Sequence, residues 1–425
     1  MEHHVPSSVA AAVRIPAPSA FAAHWRLDPD VVFLNHGSFG ALPRVVCQRQ
    51  REIQDLLHAE PIRFFVETLP PLLDDARRAA AAFVGAPADG FAFVSNATAG
   101  VNTVIHSLTF ERGDEILTSS HEYNACNNVV RWAEERWGVT PVFVDVPFPI
   151  RSPDQAVEAY LAGVTPRTKL VLVSHITSAT GIILPVDRIV AEMNARGIDT
   201  LVDGAHAPGM IPLDVASIGG GDGPAYYTGN FHKWCCAPNG AAFLYVRHDR
   251  RRLVRPNIIS HGANAKPPAD SPDRSRFQLE MDFLGTMDYS PWLCVPEAIR
   301  FNGSLLPGGW EELRARNHAL TLQARDLLCR ELGAEPPAPD DMLGTMACVP
   351  LPDRTPEEAS RPTKYHDALQ DALVHRHAIQ VPIIPFAIPP KTGTRYVRIS
   401  ANVYNTMEQY EYLVKALKQE LHGVR

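Results

Sequence analysis

Two residues of this sequence have the types and spacing for one particular chemistry. Asp203 ends the apolar run Leu201-Val202 and opens Asp203-Gly204-Ala205-His206, and Lys233 follows about one crossover later in Thr228-Gly229-Asn230-Phe231-His232-Lys233-Trp234. A lysine amine that can form an imine, and an acid that can sit on a pyridine nitrogen, are the pair that pyridoxal phosphate chemistry requires. The ring accepts electrons well only while its nitrogen stays protonated, and a buried carboxylate holds that proton by opposite charge at hydrogen-bond distance. A lysine taken at random is a solvated surface group. Here Leu201-Val202 leads into the acid and Ala241-Ala242-Phe243-Leu244-Tyr245-Val246 follows the lysine, which places both at strand ends of a buried sheet.

Other segments offer what such a cofactor needs. Asn96-Ala97-Thr98-Ala99-Gly100 opens a helix after the strand at 91–95, so small residues and the Thr98 hydroxyl can meet an anion at the positive end of the helix. In Ser119-Ser120-His121-Glu122-Tyr123, Tyr123 suits stacking on a planar ring, although a core or interface tyrosine fits as well, and His121 reads as a local hydrogen-bond partner. Ser178 or Thr177 can bond the cofactor's phenolate oxygen. Asn230 and His232 flank Phe231 and can share a face toward a phosphate. Arg398, in Tyr396-Val397-Arg398-Ile399-Ser400, can hold a carboxylate with two parallel hydrogen bonds.

The elements that must position these residues show a clear rhythm. Strand patterns at 91–95, 115–118, 141–146, 169–175, 199–203, 226–229 and 241–246 alternate with amphipathic stretches, which predicts crossover connections and a mainly parallel sheet covered on both faces. Active sites of such sheets lie beyond the carboxyl ends of the strands. Helices are expected at 45–57 and 69–83 ahead of the sheet, and at 310–332 and 407–421 after it, with a late strand at 396–400. The first 30 residues read as a loose arm with Trp25 as a docking point, and 249–282 reads as a polar, Pro-rich excursion that includes Asp270-Ser271-Pro272-Asp273. The expected divisions are 1–59 for the arm and a helix joining the small domain, 60–296 for a large domain and 297–425 for a small one.

Composition excludes several classes. With 425 residues, 45% hydrophobic and 20% charged, the chain is an ordinary globular protein of two-domain length. A net charge of −7 without a basic block argues against a nucleic-acid or anionic-membrane surface. Seven cysteines without metal-type pairing suggest free thiols, no metal site and a reducing compartment, and no apolar run reaches membrane-spanning length, so a cytoplasmic location is expected.

Taken together, these segments resemble the class V aminotransferase group of fold-type I pyridoxal phosphate enzymes, and within it the isopenicillin N epimerase-like branch. The resemblance runs from Phe33-Leu34-Asn35-His36-Gly37-Ser38-Phe39-Gly40 to Arg398 and is most specific there, in Asp203-Gly204-Ala205-His206-Ala207-Pro208-Gly209 and in His232-Lys233-Trp234. It implies an α/β fold, with a mainly parallel seven-stranded sheet flanked by helices and a smaller α+β C-terminal domain. By the same resemblance Lys233 is the imine lysine, Asp203 the ring-nitrogen partner and His206 a neighbour of the phenolate oxygen. Thr98, Ala99, Asn230 and His232 fall on the phosphate cradle, Tyr123 on the ring, Ser178 on the cofactor, and Arg398, Asn35 and His36 on the substrate. Thr286 falls where a neighbouring subunit's phosphate is reached, implying a homodimer with shared active sites.

Two departures narrow the activity. Related desulfurases often carry Ser where this chain has Asn230, and commonly His where it has Tyr123, which cannot serve as the same acid or base near neutral pH. No cysteine lies in 249–282 to accept sulfur, which disfavours a persulfide-forming desulfurase. Epimerisation at Cα of an amino acid, with Lys233 moving the proton while the cofactor stores carbanion charge, is the first expectation. Cβ–S cleavage of a cysteine-type substrate and transamination are the alternatives, and a non-catalytic, cofactor-binding regulatory protein stands outside them.

Overall fold

The computed structural model describes residues 15–267, 274–365, 367–386 and 394–422. The first fourteen residues of the expected arm and most of the Asp270–Asp273 cluster's setting, 268–273, lie outside the described residues. In chain order the first half contains α1 (Arg44–Ala59), α2 (Leu69–Phe83), β1 (Phe91–Val94), α3 (Ala97–Ser107), β2 (Glu115–Ser119), α4 (Asn124–Trp137), β3 (Thr140–Val144) and α5 (Pro153–Gly163). Then come β4 (Thr168–Ser174), α6 (Val186–Ala195), β5 (Asp199–Gly204), β6 (Tyr226–Asn230) and β7 (Ala242–Val246). The remainder contributes α7 (Arg276–Asp282), α8 (Gly309–Leu332), β8 (Met346–Leu351), β9 (Ile383–Pro385), β10 (Arg395–Ser400) and α9 (Met407–His422).

The first seven strands form one sheet in the order β1-β7-β6-β5-β4-β2-β3. Its pairs are parallel except those made by β7, which runs against both neighbours. The strands are apolar nearly throughout because both faces are covered. In β4, Leu170 and Leu172 face one layer with α3 and α4, whereas Val171 and Val173 face the other with α5 and α6. β5 and β7 alternate in the same way, through Leu201 against Val202 and Leu244 against Phe243. Register then aligns the carboxyl ends: Ser174 of β4 sits beside Asp203 of β5, which sits beside Thr228 of β6.

A second, three-stranded antiparallel sheet, in the order β9-β10-β8, packs on α8, which also packs on α9. The segment Val32–Phe33 pairs with Ile379–Gln380, tying the start of the chain to its last third. Trp25 is buried as a docking point, with its indole N–H on the Ala41 carbonyl at 3.2 Å and its ring edge-on to Tyr404. The expectation of an unstructured excursion over 249–282 is corrected at its end. Ser275 and Gln278 form a reciprocal capping box there, and α7 buries Phe277 and Met281.

Truncating a buried side chain on a central strand removes its transfer energy and leaves a cavity. Leu172→Ala is therefore expected to cost about 2–5 kcal/mol in urea unfolding. Phe143→Ala, on the edge strand and 39% exposed, is expected to cost less; a larger loss at Phe143 would contradict this account of the core.

Candidate active site

The carboxyl ends of β4, β5 and β6, the start of α3 and strand β10 converge on one buried group of polar side chains. Lys233 follows β6 by three residues, and its Nζ lies 2.9 Å from His206 Nε2. The indole N–H of Trp234 approaches the other ring nitrogen, Nδ1, at 3.4 Å. An indole N–H can only donate, so Nδ1 accepts and the proton of a neutral imidazole resides on Nε2. That proton points at the Lys233 nitrogen, which accepts only as a neutral amine. Burial, with Arg398 nearby, agrees by lowering Lys233 to about 7, and burial beside Lys233 holds His206 well below its ordinary value.

The lysine's backbone is fixed from below by the opening motif. His36, 1% exposed, accepts the Tyr404 hydroxyl at Nδ1 (2.7 Å) and donates from Nε2 to the Lys233 carbonyl (3.0 Å). Gly40 adopts φ +76°, and a Cβ there would stand 2.0 Å from the His232 carbonyl oxygen. No side chain fits that approach. Asn35 accepts the Ser38 hydroxyl at 2.6 Å.

Asp203 is buried at the end of β5. Its Oδ1 accepts the Ala205 N–H at 2.9 Å and its Oδ2 the Cys126 thiol at 3.3 Å. Burial raises it, while the Ala205 N–H, Cys126 and the charge of Lys233 act in the opposite direction. At the head of α3, Asn96 accepts the Ala99 N–H at 2.8 Å and Asn230 Oδ1 accepts the Ala97 N–H at 2.8 Å. These two leave the Thr98 N–H in the first turn without a side-chain acceptor among the described residues. α3 reaches β6 closely because Gly100 has no side chain: a Cβ would lie 2.2 Å from Thr228 Oγ1. His232 donates from Nδ1 to the Ala241 carbonyl at 3.2 Å, and burial lowers it to about 4. An anion against its other nitrogen would restore the proton.

Arg398, 4% exposed on β10, bonds the Ser178 carbonyl and the Ser38 hydroxyl (3.0 Å), and its Nε N–H has no partner among the described residues. Among the described residues no carboxylate pairs with it, so a buried guanidinium keeps donors for an anion from outside. Its charge is felt by both Lys233 and His206.

The remaining expected residues divide. Tyr123 caps α4 and is 49% exposed, Ser178 is half-buried, and Thr286 is exposed away from any side-chain hydrogen bond among the described residues. Thr177 is committed to Thr180 and to the Ile182 backbone, and His121 to Thr180 and the Val146 carbonyl. The sequence reasoning missed Trp234, Tyr404, Ser38, Cys126 and Glu122 as neighbours of the chemistry. Trp234 alone carried a signal, by its adjacency to Lys233.

The aminotransferase class-V family profile matches residues 43–413. The chain belongs to that family. It is 36% identical over 408 residues to isopenicillin N epimerase of Amycolatopsis lactamdurans, covering 92% of this chain and 96% of the relative. It is 31% identical over 441 residues to putative L-cysteine desulfhydrase 1 of rice, Oryza sativa subsp. japonica, covering 97% and 87%. In fold it is similar to a C-DES mutant with glycine covalently linked to its PLP cofactor, at TM-score 0.75 and 20% identity over 93% of this chain and 98% of that one. The apo cysteine desulfurase of Thermococcus onnurineus NA1 is similar at TM-score 0.74 and 19% identity, covering 97% and 100%. Class V members are pyridoxal phosphate-dependent enzymes, and this chain is an enzyme of that class.

Lys233 is neutral in the folded apoprotein above about 7, whereas in the unfolded chain it stays charged up to its ordinary 10.5. The unfolded state therefore binds more protons across that window, and stability gained from this group rises with pH between those values. Lys233→Met is expected to exceed the wild-type apoprotein in urea stability at pH about 7, with the gap closing toward pH about 10. A gap that widens with pH would contradict a neutral buried amine.

Proposed function

We propose that this chain acts at the Cα of an amino acid or amino-acid-containing substrate as a pyridoxal phosphate-dependent epimerase. The observation that carries this reading is the buried Lys233 amine, 2.9 Å from a histidine nitrogen that donates to it. The donor set fits the coenzyme. Lys233 offers the neutral amine for its aldehyde, Asp203 the acid for its ring nitrogen and His206 the N–H for its phenolate oxygen. The first turn of α3, with Thr98, and the Asn230 and His232 side chains offer donors for its phosphate. When bound, the coenzyme supplies an electron sink for charge developing at Cα.

The chain's own groups supply the rest. Arg398 fixes the substrate carboxylate by charge-assisted hydrogen bonds in a buried setting, which orients the Cα–H bond toward Lys233. A lysine titrating near 7 is matched to taking that proton and returning it near neutral pH. Inversion also needs a proton on the opposite face, for which the half-exposed Tyr123 at the α4 cap, or water beside it, is placed by this reading. Support for the epimerase comes from 36% identity to the Amycolatopsis enzyme across nearly the full length of both chains.

Cβ–S cleavage is the second reading, favoured by the likeness to the rice protein. It uses the same Lys233, Asp203 and Arg398. The thiols near the site do not suit a sulfur acceptor, since burial pushes Cys126, Cys236 and Cys348 upward. A homodimer follows from the same reading: Ile62 and Val66, one turn apart, are 81% and 69% exposed, and Thr286 is free to meet a partner. The seven cysteines are unpaired, which favours a reducing, cytoplasmic location. Among the described residues no helix is long and apolar enough to cross a membrane.

The test is to incubate purified protein with L-amino acids, cysteine conjugates and a β-lactam tripeptide, following Cα deuterium exchange with pyruvate, sulfide and keto-acid release. Exchange with inverted product is expected. Pyruvate released with sulfide would move the assignment to the lyase. Lys233→Ala should lose at least about 100-fold in turnover, and Arg398→Ala should raise KM about 10–100-fold. Full turnover in Lys233→Ala would overturn the mechanism.

A further inference from the structure

We propose that Glu122 is a positioning residue for the ring-nitrogen contact: it carries the proton of a buried carboxyl pair, so that Asp203 alone faces the coenzyme as an anion. This rests on the function proposed above. Glu122 is 6% exposed, at the turn between β2 and α4. Its Oε1 accepts the Ser174 hydroxyl and the Tyr123 N–H, each at 2.8 Å. Its Oε2 is buried and has no partner among the described residues. One oxygen of Glu122, one of Asp203 and the Cys126 sulfur lie within 4.8 Å of one another.

Two carboxylates this close in a closed site do not both ionise. Their surroundings decide which keeps the proton. Asp203 has a donor on each oxygen, the Ala205 N–H on Oδ1 and the Cys126 thiol on Oδ2. Glu122 has no cationic partner among the described residues. The titratable groups turned toward it are Asp203 at the end of β5, Cys126 on α4 and Tyr160 on α5, with Tyr227 of β6 beside Asp203. All are acids, so none supplies a positive charge, and the Asp203 charge disfavours a second one on Glu122. The proton therefore sits on Glu122, on the oxygen that lacks a donor. Burial first, and then the Asp203 charge, raise Glu122 to about 8. An ionised Glu122 would push the proton affinity of Asp203 upward and weaken its grip as an anion, so the neutral carboxyl preserves the contact on which the coenzyme depends.

Glu122→Gln keeps the Oε1 acceptor and the neutral state but cannot ionise. In the wild-type apoprotein Glu122 stays neutral when folded up to about 8, yet ionises when unfolded above its ordinary 4.5. Stability from this group is thus present below the lower value and is lost as pH rises through the higher one. The melting temperature of apo Glu122→Gln should gain on the wild type as pH is raised from about 5 to about 9. In the holoprotein, the visible band of bound coenzyme should titrate with an alkaline step that Glu122→Gln lacks. Matching pH profiles of melting in the two proteins would overturn the proposal, as would survival of the step in the variant. Should Glu122→Gln fail to fold, apo Ser174→Ala decides. Losing the hydroxyl donor holds the proton on Glu122 more tightly, so the variant's melting deficit should grow toward alkaline pH, and a constant deficit would overturn the proposal. Failure to take up any coenzyme would reject the proposed function, while the apoprotein melts still decide the role of Glu122.

Discussion

The hydrogen bond from His206 to the Lys233 amine is the interaction on which the site depends. Removing an ammonium from water into this interior, beside the Arg398 charge, is costly, and the protein meets that cost by giving the lysine up as a neutral base. The direction of the bond is set one step away, by the Trp234 indole on the far side of the imidazole. Trp234 is adjacent in sequence to the lysine it influences. One short turn thus contains the neutral lysine, and the residue that selects the tautomer of its partner follows at once.

Holding that turn requires both ends of the chain. His36 and Gly40 arrive from the N-terminal motif and support the backbone of Lys233 and His232, while Tyr404, after β10, fixes His36. Arg398 comes from the second sheet and bridges Ser38 of the opening motif to Ser178 beyond β4. The central sheet contributes Asp203 and the three aligned strand ends. A buried guanidinium is therefore held between the two sheets with no carboxylate partner among the described residues, and the proposed function gives that place to a substrate carboxylate. In the proposed reading, the groups that bind carboxylate, ring nitrogen and amine serve epimerisation and C–S cleavage alike, and the difference lies in what stands on the opposite face of Cα and in the leaving group.

Much of the fold was legible because the sheet is buried on both faces. Runs such as Leu170–Val173 are apolar at every position, and their strands came within two residues of the expected limits. Asp203 and Lys233 were legible for the same reason, as charged residues directly beyond such runs. The helix Arg276–Asp282 was hidden by the Pro-rich composition around it, although its Ser-x-x-Gln box was readable. Glu122 and Cys126 gave no signal, because their significance is their distance from Asp203, which for the cysteine lies 77 residues away in sequence. The link from Tyr404 through His36 to the Lys233 carbonyl spans 368 positions and depends on tertiary closure alone.

The central claim, that Lys233 is the amine that receives the coenzyme, is tested most directly by covalent trapping. Purified protein loaded with pyridoxal phosphate would be reduced with borohydride, digested and mapped by mass spectrometry. The account predicts a single pyridoxyl adduct, on the peptide containing Lys233. An adduct carried by other lysines while Lys233 remains unmodified would contradict it.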